Sequence, residues 1–571
     1  LIASLLLSVM LTGGCAFVER GEPRPVMHRI ESRAAANAVA TAHPLATRAA
    51  LAMLERGGSP VDAAIAAQMV LGAVEPQSSG IGGGVLLMIW DEASSTLTSF
   101  DGLAMAPAAV TAGLNVDADG TLLPRERVRR GGRSVGVPGA LPALKAAHDR
   151  FGKLSWSALF APAIRIAEEG FPLPPYLHGM LTADNAARLH PDLVPLYFGA
   201  DGKVLPVGTV VRNPAYAQTL RRIAAKGPQG LLDDGGAARI VAAAQRGFRP
   251  SLMTEQDLRA VRAVERTPVC APFLSYRVCA MAPPSYGGVV VLQILQMLEA
   301  LGVKRYDFDD PAFVHQYLEA GRLAQADRRR YVGDPGFVDV PVGALLSGDY
   351  LRRRAQRIDM TQANPRPTPG SPVATVTEVD SDTNEQGPAT SQLAIADAQG
   401  NVLSMTTTIN LNFGSRLMVD GYVLNNALNL FSSAPQPGRR VANQMEPGKR
   451  PSTSMAPTIV FDSAGRAVAV GGSAGGPYIP DYIAVSLIEM LANGRTPAQA
   501  LARGHVSSAA PMNKVRVERG TAAEKLLPAL ADKGHDIEAR SMRSGQGFLL
   551  RREGGWLGAA DARRDGVAEG W

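Results

Sequence analysis

The chain has 571 residues and a formal net charge of +6, from 58 Lys and Arg against 52 Asp and Glu. With 46% hydrophobic and 19% charged residues it can build a packed core, and its small, dispersed positive excess argues against a nucleic-acid partner. Three cysteines and eight histidines, with no HExxH pair, fit neither a four-cysteine zinc site nor a disulfide-dense scaffold, so no metal and no cofactor is expected.

Leu1 to Gly14 (LIASLLLSVMLTGG) is an apolar run shorter than the roughly 20 residues a membrane span needs. It is expected to be the core of an export signal, although a basic segment before it is missing. Thr12-Gly13-Gly14-Cys15 resembles the small-residue box before the lipid-bearing cysteine of bacterial lipoproteins, with Thr12 where a leucine is usual. Two readings stay open, lipidation of Cys15 or an ordinary signal cleaved nearby. Residues 1–21 are therefore set apart as a leader or anchor, and the expected location is the bacterial periplasm, with or without a lipid tether.

Further along, PLATRAALAMLERGG predicts a helix stopped by Gly57-Gly58, and Ser59-Pro60 then caps a second helix, VDAAIAAQMVLGAV, apolar nearly all round and so expected to be buried. The glycines of QSSGIGGGVLLMIW (77–90) lack the Gly-Lys-Ser/Thr ending of a phosphate loop, which leaves close backbone packing as their reading. TPVCAPF (267–273) and YRVCAMA (276–282) read as two strands around Leu274-Ser275, a register that sets Cys270 opposite Cys279. A disulfide or two buried thiols both fit. Helices are predicted at 287–302 and 311–331. Residues 364–389 are rich in Pro, Gly, Ser, Thr and acids, and read as an exposed, mobile segment. Two strand-like runs follow, 391–397 and 402–408, around Ala398-Gln-Gly-Asn401. Setting 397 against 402 puts Thr390 beside Ile409 and diagonal to Thr408. A last strand pair, MAPTIVFD and RAVAVGG, leads through SAGGPYIP into a helix at about 481–493.

Bare threonine pairs in strands are usually structural. Their surroundings change that reading. GPATSQLAIADAQGNVLSMTTTINLNFGS, VLNNALNLFSS, GKRPSTSMAPTIV and GGSAGG, in this order, resemble the small subunit of the γ-glutamyltransferases, members of the N-terminal nucleophile hydrolases. EPQSSGIGGG, AMAPA, GGRSVGVPGALPAL, APAIRIAEEGFPL, MAPPSYGG and YVGDP are similar to the large subunit of that family, so the likeness runs from about His43 to the C-terminus.

The resemblance implies an α+β fold of αββα type, a four-layer sandwich of two stacked, mainly antiparallel sheets. It implies a precursor in which Thr390 attacks the carbonyl of Ala389, leaving a large subunit (22–389) and a small subunit (390–571) interlocked as one unit. The freed Thr390 α-amine, with an ordinary pKa of about 7.7–8.0, would take the hydroxyl proton without any histidine. Thr408 would orient the nucleophile, and the N–H groups of Gly475 and Gly476 would hold the oxyanion. The implied reaction passes a γ-glutamyl group from glutathione or a similar amide to water, an amino acid or a peptide.

Substrate anchoring departs from the family pattern. The arginine that usually grips the glutamate α-carboxylate is Leu103 here, and the glutamine and acid usually found after the Asn-Asn pair are Ala427 and Leu430. Asn410, Thr453 and Ser454 remain as polar contacts. Either Arg129, Arg130 or Arg133 substitutes, or the acyl pocket prefers a less charged group, as in the related cephalosporin and glutaryl acylases. Ser432 to Arg450, expected to cover the site, has no aromatic residue, which suggests a loose lid. Two alternatives compete with this reading. Gly471-Gly472-Ser473-Ala474-Gly475 fits the G-x-S-x-G of a serine esterase, with Asp532 and His535 in the expected order. An inactive lipoprotein scaffold is the other.

Overall fold

In the computed structural model, the described residues are 32–117, 119–183, 191–246, 249–373, 379–380, 389–432, 440–509 and 514–571. Cys15 and the expected leader lie outside them, as do 374–378 and 381–388 of the expected mobile segment and 433–439 of the expected lid.

The apolar runs pair into two seven-stranded sheets. The first runs Val567–Gly570, Ala38–Thr41, Ser391–Ala396, Val402–Thr408, Gly84–Asp91, Thr96–Gly102, Val264–Arg266, antiparallel throughout. The second runs Ser32–Ala34, Gly555–Ala560, Gly547–Arg552, Ala467–Gly472, Thr458–Phe461, Tyr276–Ala280, Val269–Phe273, also antiparallel. Each sheet contains strands from before and after residue 389.

Side-chain alternation assigns the layers. Leu393, Ile395, Leu403 and Met405 share a core with the helices Pro44–Glu55, Pro60–Val74 and Ala140–Phe151. Ala394, Ala396 and Val402, on the opposite face, share another with the second sheet and the helices Tyr286–Ala300, Pro311–Tyr331 and Ile479–Leu491. The order is helices, sheet, sheet, helices, the αββα sandwich expected. Across the sheet interface Ser404 Oγ donates to the Gly471 carbonyl at 2.7 Å, and the Trp90 and Phe461 rings meet edge-on at 4.7 Å. Helix Pro60–Val74 is buried along its whole length, as its all-round apolar sequence requires, and Ser59 and Asp62 close a capping box at its start.

The strand pair ahead of the site has a different register from the one expected. Ser391 opposes Thr407 and Ala396 opposes Val402, so Asp397 faces Asn401. The loop is one residue shorter than read, because Gly400 takes a φ of 92° and the Asp397 carboxylate accepts the N–H groups of Gln399 and Asn401. Continued one step, this register sets Thr390 opposite Thr408 rather than Ile409.

Residues 364–370, the start of the segment expected to be exposed and mobile, are half-buried or exposed and carry several hydrogen bonds. Asn364 N–H donates to Glu319, Gly370 N–H to Asp327, Tyr331 Oη to the Gly370 carbonyl, and an Arg354 Nη to that of Thr368. Buried charged groups of helix Pro311–Tyr331 thus pin a stretch whose composition reads as loop. The hairpin 269–280 has the expected register, with Cys270 opposite Cys279, and the two sulfurs are bonded.

Candidate active site

Alternation fixes where the two threonines look. Residues 390 and 408 fall on the face that carries Ala394 and Val402, so their side chains enter the space between the sheets at its open end. Thr390 Oγ1 donates to Thr408 Oγ1 at 3.1 Å, and Thr408 Oγ1 also accepts the Asn410 N–H at 2.8 Å. Ala389 and Thr390 are both buried, at 2% and 4% exposure. Thr390 has a φ of 117°, a region a β-branched residue occupies only under strain, of order 1–3 kcal/mol. That strain sits at the peptide bond expected to break.

The glycine-rich loop packs the backbone beneath this pair. A Cβ on Gly83 would stand 2.1 Å from the Thr408 carbonyl oxygen, and one on Gly82 2.2 Å from that of Val423. Close backbone approach is therefore what these glycines supply.

Gly475 and Gly476 follow the strand Ala467–Gly472, which leads them to the same end of the sandwich. Their φ values of 134° and 65° exclude ordinary side chains, and a Cβ on Gly475 would lie 2.5 Å from the Tyr482 ring. They precede the helix Ile479–Leu491, so their N–H groups stand at its positive end. Ser454 Oγ donates to the Gly476 carbonyl at 2.7 Å and fixes the turn.

The residues expected to meet the acyl group separate by chemistry. Leu103, Ala427 and Leu430 are buried and apolar. Asn410 is already held, its Nδ2 donating to the Asn426 carbonyl, and Thr453 Oγ1 accepts the Met455 N–H. The Asn-Asn pair is a brace: Asn425 bonds Gly82 and Gly136, and Asn426 bonds Leu411 N–H and the Arg129 carbonyl. Arg129 and Arg130 border a cleft that Asn426 also lines, whereas an Arg133 Nη donates to the Leu114 carbonyl.

Three groups around the nucleophile were not singled out by sequence. An Arg564 Nη donates to the Thr390 carbonyl at 2.6 Å, and its guanidinium lies over the Tyr176 ring. Ser391, facing away from Thr390, donates to Glu75 at 2.7 Å and accepts from Ser79 at 3.0 Å. Burial pushes the Glu75 carboxyl up to about 7, against the opposing pull of Arg564 and the Ser391 hydrogen bond. Glu75 opens the quoted run EPQSSGIGGG, so a motif did contain it. Arg564 stands in the charged stretch DARRDG and gave no signal.

The esterase arrangement is not assembled. Ser473 Oγ donates to the adjacent Ala474 carbonyl, Asp532 is exposed, and His535 pairs with His315 at 2.8 Å. A buried hydroxyl with no histidine partner has no base to activate it.

The Thr390–Thr408 pair thus stands at the open end of the αββα sandwich, with the glycine turn at 475–476 at the same end. The family described as Gamma-glutamyltranspeptidase matches residues 46–571. The chain belongs to the γ-glutamyltranspeptidase family. It is 33% identical to a glutathione hydrolase proenzyme of Bacillus subtilis (strain 168), over 93% of this chain and 91% of that protein. It is 34% identical to the acylase ACY 1 proenzyme of Pseudomonas sp. (strain SE83), over 76% of this chain and 75% of that protein. Among solved structures, a cephalosporin acylase from Bacillus halodurans superposes with a TM-score of 0.84 at 28% identity, covering 97% of this chain and 99% of that one. Like these γ-glutamyltranspeptidase relatives, the chain is an enzyme.

Proposed function

We propose that the enzyme cuts itself between Ala389 and Thr390 and then transfers an acyl group from an amide, through an ester on Thr390, to water or to an amine. The observation that carries this reading is the Thr390 Oγ1 to Thr408 Oγ1 hydrogen bond at the strained junction. In the first step Thr390 Oγ adds to the Ala389 carbonyl carbon, the C–N bond breaks, and the nitrogen takes the hydroxyl proton. Water then hydrolyses the ester, leaving the Ala389 carboxylate and a free Thr390 amine. That amine acts as the base of each later turnover, with the Gly475 and Gly476 N–H groups on the oxyanion; losing one such donor typically costs about 3–4 kcal/mol. Both products contribute strands to both sheets, so they stay together after the cut.

The donor is a γ-glutamyl amide such as glutathione, or a related acyl amide, and the acceptor water, an amino acid or a peptide. A second reading, an acylase for a less charged acyl group, is favoured by the apolar trio Leu103, Ala427 and Leu430. The apolar run Leu1 to Gly14 supports export to the periplasm, with or without Cys15 as a lipid anchor. The test compares γ-glutamyl-p-nitroanilide with its des-amino glutaryl counterpart and looks for an acyl adduct on the Thr390 chain by intact mass. An adduct that vanishes in Thr390→Ala and persists in Ser473→Ala supports the mechanism. Its absence with every anilide overturns it, and strong preference for the γ-glutamyl donor removes the second reading.

A further inference from the structure

We infer that Glu75 is a positioning residue for the nucleophile, acting in its protonated form through Ser391 and Arg564, so that self-cleavage slows as this carboxyl ionises. The inference rests on Thr390 being the nucleophile.

Two groups grip the backbone just after the strained Thr390 φ. The Thr390 carbonyl accepts from an Arg564 Nη at 2.6 Å, and the next side chain, Ser391 Oγ, donates to Glu75 Oε2 at 2.7 Å. Ser79 Oγ donates to Ser391 Oγ at 3.0 Å, so the one Ser391 hydroxyl proton goes to Glu75. Glu75 is itself fixed. It closes the buried helix Pro60–Val74, its N–H bonding the Leu71 carbonyl and its own carbonyl accepting from the N–H groups of Ser78 and Ser79. The grip matters because a φ of 117° persists only while the surroundings over-determine it.

Those surroundings make a charge on Glu75 costly. The residue is buried, and it stands at the negative, C-terminal end of its helix, where an anion is disfavoured. Among the described residues nothing donates a hydrogen bond to its Oε1. The titratable groups that act on it are Arg564 and Asp565, near the chain's end, and Tyr176 of the helix Pro175–Ala183. Asp565 opposes a second negative charge, and burial pushes the Tyr176 hydroxyl up, so that it stays neutral. Of the three, Arg564 is the one cation.

Arg564 has little freedom to serve both neighbours. Its Nε donates to the Ser544 carbonyl at 3.1 Å, and a Cβ on Gly545 would stand 2.6 Å from that nitrogen. Ionised Glu75 and the Thr390 carbonyl therefore compete for one guanidinium, and drawing it toward Glu75 takes it from Thr390. A protonated Glu75 leaves it in place. The carboxyl titrates at about 7, which brings this competition into a pH range where the precursor can be assayed.

The test follows the splitting of freshly made precursor from about pH 6 to about pH 8 and divides the wild-type rate constant by that of Glu75→Gln at each pH. Glutamine still accepts from Ser391 but cannot ionise, so other pH-dependent steps cancel in the ratio. The ratio is expected to fall about tenfold over this range, which is the change in protonated fraction of a group titrating at about 7. Ser391→Ala covers the case in which Glu75→Gln fails to fold. Losing that hydrogen bond raises the Glu75 midpoint, so the ratio of wild type to Ser391→Ala also falls as pH rises. A purely structural Glu75 would change the rate by the same factor at every pH, so a level ratio overturns the inference. A rising ratio overturns it too, by making the carboxylate the competent form. In both cases splitting after Ala389 leaves the acyl-enzyme reading intact, whereas a wild-type chain that never splits there overturns both.

Discussion

Replacing Thr408 with valine keeps the side-chain shape and removes one oxygen. That oxygen accepts two hydrogen bonds, from Thr390 Oγ1 at 3.1 Å and from Asn410 N–H at 2.8 Å, at a position 7% exposed. Two consequences separate. The Asn410 N–H, left buried without this acceptor, costs about 1–3 kcal/mol of stability. The Thr390 hydroxyl loses the acceptor that orients it, worth about 1–2 kcal/mol in the barrier to self-cleavage, or roughly a five- to thirtyfold slowing. The assay is a time course of splitting in freshly made precursor, followed on denaturing gels, with thermal melting of the uncut chain alongside. Thr408→Ser keeps the oxygen and should split within a few-fold of wild type. Valine splitting at the wild-type rate would refute the orienting role, and serine as slow as valine would show that the methyl group, not the hydroxyl, is what matters.

Glu75 gives a pH signature. Its carboxyl is held at about 7 instead of 4.5, so between those values the folded chain binds more protons than the unfolded one, and stability falls as pH rises from about 4.5 to 7 by roughly 3 kcal/mol. Glu75→Gln should flatten that part of the melting-against-pH curve, and an unaltered slope would place the titration elsewhere. Gly83→Ala forces a Cβ to within 2.1 Å of the Thr408 carbonyl oxygen and should slow splitting and destabilise by about 1–3 kcal/mol or more, whereas Gly179→Ala, with nothing within 4 Å, should be neutral or mildly stabilising. Cys270→Ser, or a reductant on the wild type, should remove about 2–3 kcal/mol from melting stability by releasing the link between residues nine apart, and a reductant should leave the Cys270→Ser melt unmoved.

The αββα layers were legible only through the family resemblance; the all-round apolar helix at 60–74 and the strand runs around 391–408 agree with it, their burial being carried in their composition, but would not have established it. The threonine pair was legible as a pair, but its register was not, since the difference between a three- and a four-residue loop rests on Gly400 taking a positive φ and on the Asp397 carboxylate folding over the turn. The hydrogen bonds of 364–370 were not legible either: loop composition says nothing of Glu319, Asp327 and Arg354, each more than ten positions from the residue it bonds. Arg564 reaches the Thr390 carbonyl from near the end of the chain, a contact that no local pattern announces. The departures from the family's anchors were legible as Leu103, Ala427 and Leu430, yet only the fold could show that Arg129 and Arg130 border a cleft that these three residues do not line.

The central claim is that Thr390 becomes an N-terminal nucleophile. N-terminal sequencing of the smaller chain from purified enzyme tests it most directly. The account predicts a chain that begins Thr390-Ser391-Gln392, with Thr390→Ala remaining in one piece. A wild-type chain that stays whole while hydrolysing anilides, or one cut at another bond with Thr390 internal, would contradict it.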